Sequence, residues 1–337
     1  KKTARRLHCE VEIGGKMGSR RHINLPGTRV SIPALTKKDF LDIESSLEAG
    51  VDFFAQSFVR EPEDVETFRR VLSEKGSSAR IIAKIEDQQA ITNLDDIIRA
   101  SDGLMVARGD LGIECPYEDL PVIQKRAVST CIQLRKPAIV ATHMLESMIE
   151  NPVPTRAEVS DITYAVAERT DAIMLSGETT VGKYPLDCVR VFKRIAETTE
   201  KLDNPATRLP LDLRNPKSKL VRSAANLAED VEGACVIVFT RAGNIPQTLS
   251  SLRPTSTPIY AFTDQPHLVP QMRLIRGVEP FLVEFAGERE VTIQSAFRLL
   301  IERGHVEVGS WAVLITTVLR RRRIVDGLQL RQVEPQD

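Results

Sequence analysis

The sequence predicts an α/β protein: an incomplete (β/α)8 barrel of about five βα units, preceded by a remnant of a β-rich inserted domain and followed by a separate three-layer α/β domain. Three observations carry this expectation. Five short apolar runs, starting at residues 53, 80, 104, 138 and 172, alternate with helical stripes in the manner of right-handed βαβ units. Each run ends in polar side chains: Ser57, then Lys84 and Glu86, Arg108 and Asp110, Thr142 and His143, Ser176 and Glu178. Successive strands with such ends suggest the carboxyl-end rim where barrels place their chemistry. A doubly wound dinucleotide fold would instead gather glycines after its first strand, and none are so placed. Finally, a linker-like stretch at 204–210 precedes a fresh alternation of strand and helix.

In chain order, residues 1–27 read as the β-rich remnant: 7–13 alternates like an antiparallel strand, Gly14-Gly15 is a turn, and 24–27 is a loop. The chain then enters the barrel, 28–203, through 31–35. Its strands are expected at 53–59, 80–86, 104–108, 138–142 and 172–176, with amphipathic helices at 93–98 and 119–135. Closure needs eight strands, so three more are expected ahead of Lys1, where the chain opens with neither Met nor an apolar leader. In 204–337, helices are expected near 217–230, 244–252, 265–275 and 290–303, and strands at 235–240, 258–262, 280–285, 311–317 and 328–333.

Composition narrows the function classes. With 46 basic and 46 acidic residues the formal net charge is zero, which argues against nucleic acid as the main partner. At 42% hydrophobic and 27% charged the chain is an ordinary globular sequence, and no run approaches the roughly 20 apolar residues of a membrane span. Cys9, Cys115, Cys131, Cys188 and Cys235 are scattered and never spaced C-x-x-C, so neither a disulfide framework nor a zinc site is suggested and a cytoplasmic setting fits best.

Lys84 and Glu86 lie two apart on one strand and so project to one face, with Ile85 on the other. That pairing suits a barrel-interior ion pair as well as a catalytic site. The next strand runs into Ala107-Arg108-Gly109-Asp110-Leu111-Gly112, bringing a second carboxylate to the rim and glycines that let a substrate approach the backbone. Glu86 and Asp110 are suitable hard-oxygen ligands for Mg²⁺ or Mn²⁺. Lys84 beside them would stabilise a migrating phosphoryl group or an enolate. No Gly-rich Walker loop occurs, so phosphate chemistry here would not be of that kind.

Four blocks, 81–91 (IIAKIEDQQAI), 102–112 (DGLMVARGDLG), 141–161 (ATHMLESMIENPVPTRAEVSD) and 171–185 (DAIMLSGETTVGKYP), resemble pyruvate kinase in order and spacing. The resemblance implies phosphoryl transfer from phosphoenolpyruvate to ADP, giving pyruvate and ATP, in a cytoplasmic homotetramer. It implies Glu86 and Asp110 as metal ligands, Lys84 as the catalytic cation, and Lys84, Ala107, Arg108, Gly109, Asp110 and Thr142 around the substrate. Thr142 is further implicated in protonating the enolate through water. K⁺ belongs to the family's chemistry, but its ligands, like an arginine on the transferring phosphate, come from the family's first third and are not in this sequence; on that ground the chain alone is expected to be weakly active or inactive. The Ser176-Gly177-Glu178 turn is expected to shape the rim, and 151–158 to form a loop and helix cap. His143 departs from the family's Gln. Family members hold a sugar-phosphate effector in a loop that corresponds to Thr240, Arg241 and Gly243. That loop lacks the usual hydroxyl cluster, whereas Arg320, Arg321 and Arg322 could grip a phosphorylated effector or serve a solvated loop or an oligomer contact. Two other readings stand beside this one: a metal-dependent pyruvate-enolate lyase or aldolase of a related barrel, and a non-catalytic effector-binding remnant.

Overall fold

The structure is a computed structural model that describes the chain except residues 1, 4, 7, 13, 16, 17, 20–25, 28–32, 203–210, 256, 321, 322 and 335–337; elsewhere in 317–325 it describes the backbone alone. The barrel part contains α1 (Lys37–Glu48), β1 (Phe53–Gln56), α2 (Pro62–Glu74), β2 (Arg80–Ile85), α3 (Gln88–Thr92), α4 (Leu94–Ala100), β3 (Gly103–Ala107), α5 (Arg108–Glu114), α6 (Leu120–Leu134) and β4 (Ala138–Ala141). A 3₁₀ turn (Glu146–Ile149), α7 (Arg156–Ala167), β5 (Ala172–Met174), α8 (Gly177–Thr180) and α9 (Pro185–Glu200) complete it.

The five strands pair in parallel in sequence order, β1-β2-β3-β4-β5. Alternation along each strand sorts its side chains between two clusters. Ile81, Ala83, Ile85, Leu104, Val106, Ala138 and Val140 face the helices and join Phe68, Leu72, Ile97, Ile98, Val128 and Cys131 in the main core. Ile82, Met105 and Ala141 face the other way, with Phe53, Ile139 and Met174, in a small inner cluster that Leu274 from the second part also touches.

The second part contains α10 (Pro216–Asp230), β6 (Cys235–Phe239), α11 (Asn244–Ser251), β7 (Ile259–Thr263), α12 (Leu268–Met272), β8 (Val278–Leu282), α13 (Arg289–Glu302), β9 (Trp311–Arg320) and β10 (Arg323–Gln332). Its sheet runs β10-β9-β6-β7-β8, parallel except for the antiparallel β9-β10 pair. Val236, Val238 and Ala261 pack on one face with Val221 and Leu249, while Ile237, Phe262 and Leu314 pack on the other with Ile293 and Phe297. Helices on both faces make three layers.

Several expected elements move. Every barrel strand ends one to three residues early, at Gln56, Ile85, Ala107, Ala141 and Met174, because the chain turns off the ladder there; Phe58, Thr142 and His143 have φ of 54°, 73° and 58°, outside the extended region. No strand occupies the described residues 8–12, where no described strand offers a pairing partner; Leu7, Ile13 and residues 24, 25, 31 and 32 lie outside the described set. The helix expected at 265–275 shrinks to α12: Pro266 lies ahead of it, Pro270 sits in its first turn, and the chain turns after Met272. The strand expected at 280–285 slides back to Val278–Leu282, the register that buries Val278 and Phe281. The last strand is much longer than 328–333, since β9 and β10 pair from Arg320 and Arg323 down to Trp311 and Gln332.

The two parts meet at the amino-terminal end of the parallel strands. There the Asp171 carboxylate receives both Arg253 terminal nitrogens at 3.0 and 2.7 Å, the Ala138 N–H at 3.0 Å and the Arg276 N–H at 3.1 Å. Gln271 donates to the Ser78 carbonyl at 2.8 Å. The rim therefore stays open at the opposite end of the strands. No helix among the described residues is long and apolar enough to cross a membrane.

Candidate active site

Lys84 and Glu86 stand together at the end of β2. The Lys84 Nζ lies 2.6 Å from Glu86 Oε1 and donates to Ser57 Oγ at 2.8 Å. Glu86 is buried, and its second oxygen accepts the Phe58 N–H at 2.7 Å. The turn after β1 thus holds both members of the pair, its hydroxyl on the ammonium and its amide on the carboxylate. Phe58 donates that amide from a left-handed conformation, φ 54°, a role the sequence pattern does not announce because a backbone group carries it.

A second knot forms where β3 and β4 end. The Gly109 N–H donates to Thr142 Oγ1 at 3.0 Å, and that hydroxyl donates to the Ala141 carbonyl at 2.5 Å. Ala107 is the buried residue that leads into α5. A Cβ on Gly109 would sit 3.2 Å from Thr142 Cγ2, so glycine is what allows this approach. Asp110, in the first turn of α5, is partly buried, and no described residue donates to its carboxylate.

Arg108 departs from the expectation of a substrate contact. Its guanidinium is 9% exposed and turned into the protein, donating to the Ala141 and Thr142 carbonyls at 3.2 and 2.6 Å and to Asp161 at 2.6 Å. Gln124 Oε1 lies 3.5 Å from it, and Gln124 in turn donates to Glu168 at 2.7 Å. The side chain brackets Thr142 rather than opening onto the rim; Asp161 and Gln124, 53 and 16 residues away, are partners that spacing does not reveal. Glu178 is likewise buried, accepting the Ser176 and Leu145 N–H groups at 2.6 and 2.9 Å, so it shapes the rim through backbone amides. Thr155 and Glu158 form a reciprocal capping box at the start of α7. His143 is exposed, 3.2 Å from Glu146.

The residues expected to hold an effector lie in the second part. Thr240 Oγ1 accepts the Gly243 N–H at 2.9 Å, and Arg241 is paired with Asp264 at 2.6 Å and lies 5.2 Å over the Phe285 ring. Gly243 has φ 77° and caps α11. Pro246 falls in the first turn of that helix, where a missing N–H removes no helical bond. Arg320 belongs to β9, and Arg321 and Arg322 lie outside the described residues.

Two acids suit a cation that keeps waters and substrate oxygens as its other ligands. The described residues contain no group of three His, Cys, Asp or Glu side chains that could hold a metal without such help.

Fold and rim together define a protein of the β/α-barrel class carrying an appended α/β unit. The chain belongs to the pyruvate kinase family: residues 1–189 match the model of the pyruvate kinase barrel domain and residues 218–323 that of the pyruvate kinase alpha/beta domain. It is 40% identical over 339 residues to the chloroplastic pyruvate kinase isozyme G of Nicotiana tabacum, covering 99% of this chain and 60% of that one. It is 38% identical to pyruvate kinase 2 of Synechocystis sp., covering 94% of this chain and 54% of that one. A crystal structure of a pyruvate kinase from Cryptosporidium parvum superposes with a TM-score of 0.86 at 35% identity, covering 92% of this chain and 65% of that one. The chain spans about three fifths of the length of these relatives.

Proposed function

We propose that this chain carries the metal, lysine and carboxyl-binding portion of an enzyme that moves the phosphoryl group of phosphoenolpyruvate to ADP, giving pyruvate and ATP. The observation that carries the reading is the Lys84 ammonium, clamped 2.6 Å from Glu86 and 2.8 Å from Ser57 at the rim of a pyruvate kinase barrel. Family membership sets aside the lyase alternative.

Glu86 and Asp110 would hold Mg²⁺ or Mn²⁺, which when bound neutralises charge on the substrate's oxygens. Glu86 is already oriented for this by the Phe58 amide, and no donor among the described residues competes for Asp110. Lys84 faces the charge that grows on the phosphoryl and enolate oxygens as the P–O bond breaks, and it is fixed beforehand, so no reorganisation is needed at that moment. The Gly109 and Asp110 amides at the head of α5, beside Ala107, receive the substrate carboxylate, with the Gly109 N–H exchanging Thr142 Oγ1 for it. The Thr142 hydroxyl then orients a water that delivers the proton to the enolate carbon; a Thr hydroxyl is too weak an acid to do so alone. K⁺ accompanies the reaction in this reading, and its ligands are not in this sequence. The enzyme would work as a homotetramer, in the cytoplasm by the cysteine pattern, although relatives named as chloroplastic make a plastid an equal setting.

The test is pyruvate formation from phosphoenolpyruvate and ADP with Mg²⁺, comparing the chain with Lys84→Met. Loss of the preorganised cation is expected to lower turnover by at least about 10²–10³-fold. Equal, measurable turnover in the two forms overturns the reading; none in either would mean that this polypeptide alone is an incomplete enzyme.

A further inference from the structure

Away from the rim, uncompensated positive charge gathers in the cleft where the amino-terminal ends of β2 and β3 meet the second α/β part. A cavity of about 360 Å³ opens there, with Arg69, Arg80, Asp102, Arg241, His267 and Gln271 among its walls. Arg80 is the first residue of β2, and its Nη2 reaches to 3.6 Å from where a Cβ on Gly243 would stand, so one guanidinium from the barrel enters the territory of the second part. Among the described residues no acceptor lies within hydrogen-bonding distance of that guanidinium and no carboxylate within ion-pair distance. The group is partly buried, and burial depresses its pKa, with Asp102 opposing and Arg69 adding to the effect. An arginine cannot escape by losing its proton, so its donors wait for a partner.

The neighbouring charges do not supply one. Asp102 Oδ2 is already engaged by Arg69 Nη1 at 3.0 Å and by the Ile81 N–H at 2.9 Å. Lys136 stands near the same carboxylate, its ammonium donating to the Ser101 carbonyl at 2.7 Å and its pKa lowered by burial despite Asp102, with Arg69 and Arg80 lowering it further. One carboxylate therefore faces three cations. Arg241 is neutralised by Asp264 at 2.6 Å and subtracts nothing from the excess, and the exposed His267 carries no acid against it.

We propose that this cleft is an anion site for a phosphoryl group, gripped by Arg80 with help from Arg69, and that its occupant ties the barrel to the second part. A tetrahedral dianion offers acceptors in several directions to donors that converge from β2, α2 and the loop before α12, and the planar guanidinium fork fits it at two points. The cavity is at the small end of the range for small-molecule sites, about 300–1,000 Å³, room for inorganic phosphate or a small phosphate ester. The site shares no residue with the rim and stands whether or not the rim performs the chemistry proposed for it.

The experiment uses the full chain and titrates inorganic phosphate against chloride at matched ionic strength, following the thermal midpoint and the heat of binding. Saturating phosphate is expected to raise the midpoint by at least about 2 °C. Arg80→Gln is expected to weaken phosphate binding at least about tenfold and, because it removes a partly buried charge with no partner among the described residues, to raise the midpoint in chloride. Lys84→Met is expected to leave the phosphate response intact, separating this site from the rim. Displacement of phosphate by glycerol 3-phosphate would identify an esterified ligand, and its failure to displace phosphate the free ion, both within the proposal. An unchanged phosphate response in Arg80→Gln, its loss in Lys84→Met, a lowered chloride midpoint in Arg80→Gln, or no phosphate binding at all overturns it.

Discussion

Thr142 and His143 follow one another at φ 73° and 58°, a left-handed pair without a glycine. Each such residue costs about 1–3 kcal/mol, and a β-branched one is the harder to keep there. What keeps Thr142 is Arg108, which binds the carbonyls on both sides of its Cα, and Gly109, whose amide takes its hydroxyl. Gly109→Ala would place a methyl 3.2 Å from Thr142 Cγ2. Thr142 would have to give by only a few tenths of an ångström, so we expect kcat/KM for phosphoenolpyruvate to fall by about 10-fold, short of the roughly 10²-fold that a displacement of about 1 Å costs, while the thermal midpoint moves little; steady-state kinetics beside a melting curve check this. Lys84 and Glu86 were legible in the sequence because a separation of two places both on one face of any strand. The conformation of Thr142 and the direction of Arg108 were not, since both depend on groups that the fold brings in from elsewhere: Asp161 reaches Arg108 from α7, on the far side of β4 in sequence.

At the scale of elements, α7 joins the rim to its support. Its first turn is closed by Glu158, which accepts from the amide and hydroxyl of both Ser147 and Thr155. Burial alone would raise the pKa of this carboxyl, but those hydrogen bonds outweigh it and hold it below the usual glutamate value. Stability from Glu158 is thus present above that value and lost as pH falls through the lowered one, so Glu158→Ala is expected to cost about 1–2 kcal/mol near neutrality and progressively less in acid, as urea titrations at several pH values would show. At the other end Glu168 behaves oppositely. Burial raises its pKa against the hydrogen bonds of Gln124 and Tyr164, and its Oε1 is buried with no partner among the described residues. The neutral form is favoured in the folded chain, and the contribution it makes is lost as pH rises through the raised value. Glu168→Gln should therefore raise the thermal midpoint at pH 7–8 by about 1–3 °C and lose its advantage toward pH 4; a lower midpoint at neutral pH would show that the charge is needed. Strong periodicity made the long helices α6 and α13 legible, whereas α12 is shorter than its hydrophobic pattern because Pro266 lies ahead of it and the chain turns after Met272.

For the whole molecule, a buried carboxylate anchors the joint between the two parts. Asp171 and Arg253 have side chains 3% and 5% exposed, and the acid also collects the Ala138 and Arg276 amides, one from each part. Removing one member of a buried pair leaves the other uncompensated, at about 3–5 kcal/mol. Arg253→Met is expected to lower stability by that amount in urea titration and to separate the unfolding of the two sheets, followed by Trp311 fluorescence in the second part against far-ultraviolet dichroism for both. A midpoint within error of the parent chain would mean that the other contacts across the joint, Leu274 in the inner cluster, Gln271 on Ser78 and Arg276 on Glu200, hold the parts together without the pair.

By itself the sequence determined the class of architecture, the order and approximate place of the strands, and the pairing of Lys84 with Glu86, because alternation and helical periodicity are properties of neighbours along one chain. It also carried the family, through residue types at spacings that are short or regular. Only the tertiary structure decided where each strand stops, which way Arg108 points, what locks Thr142, and that Arg80 stands unpaired in a cleft between two sheets. Those features are contacts between residues tens to hundreds of positions apart, and the energy of a buried charge depends on partners that only the folded chain assembles.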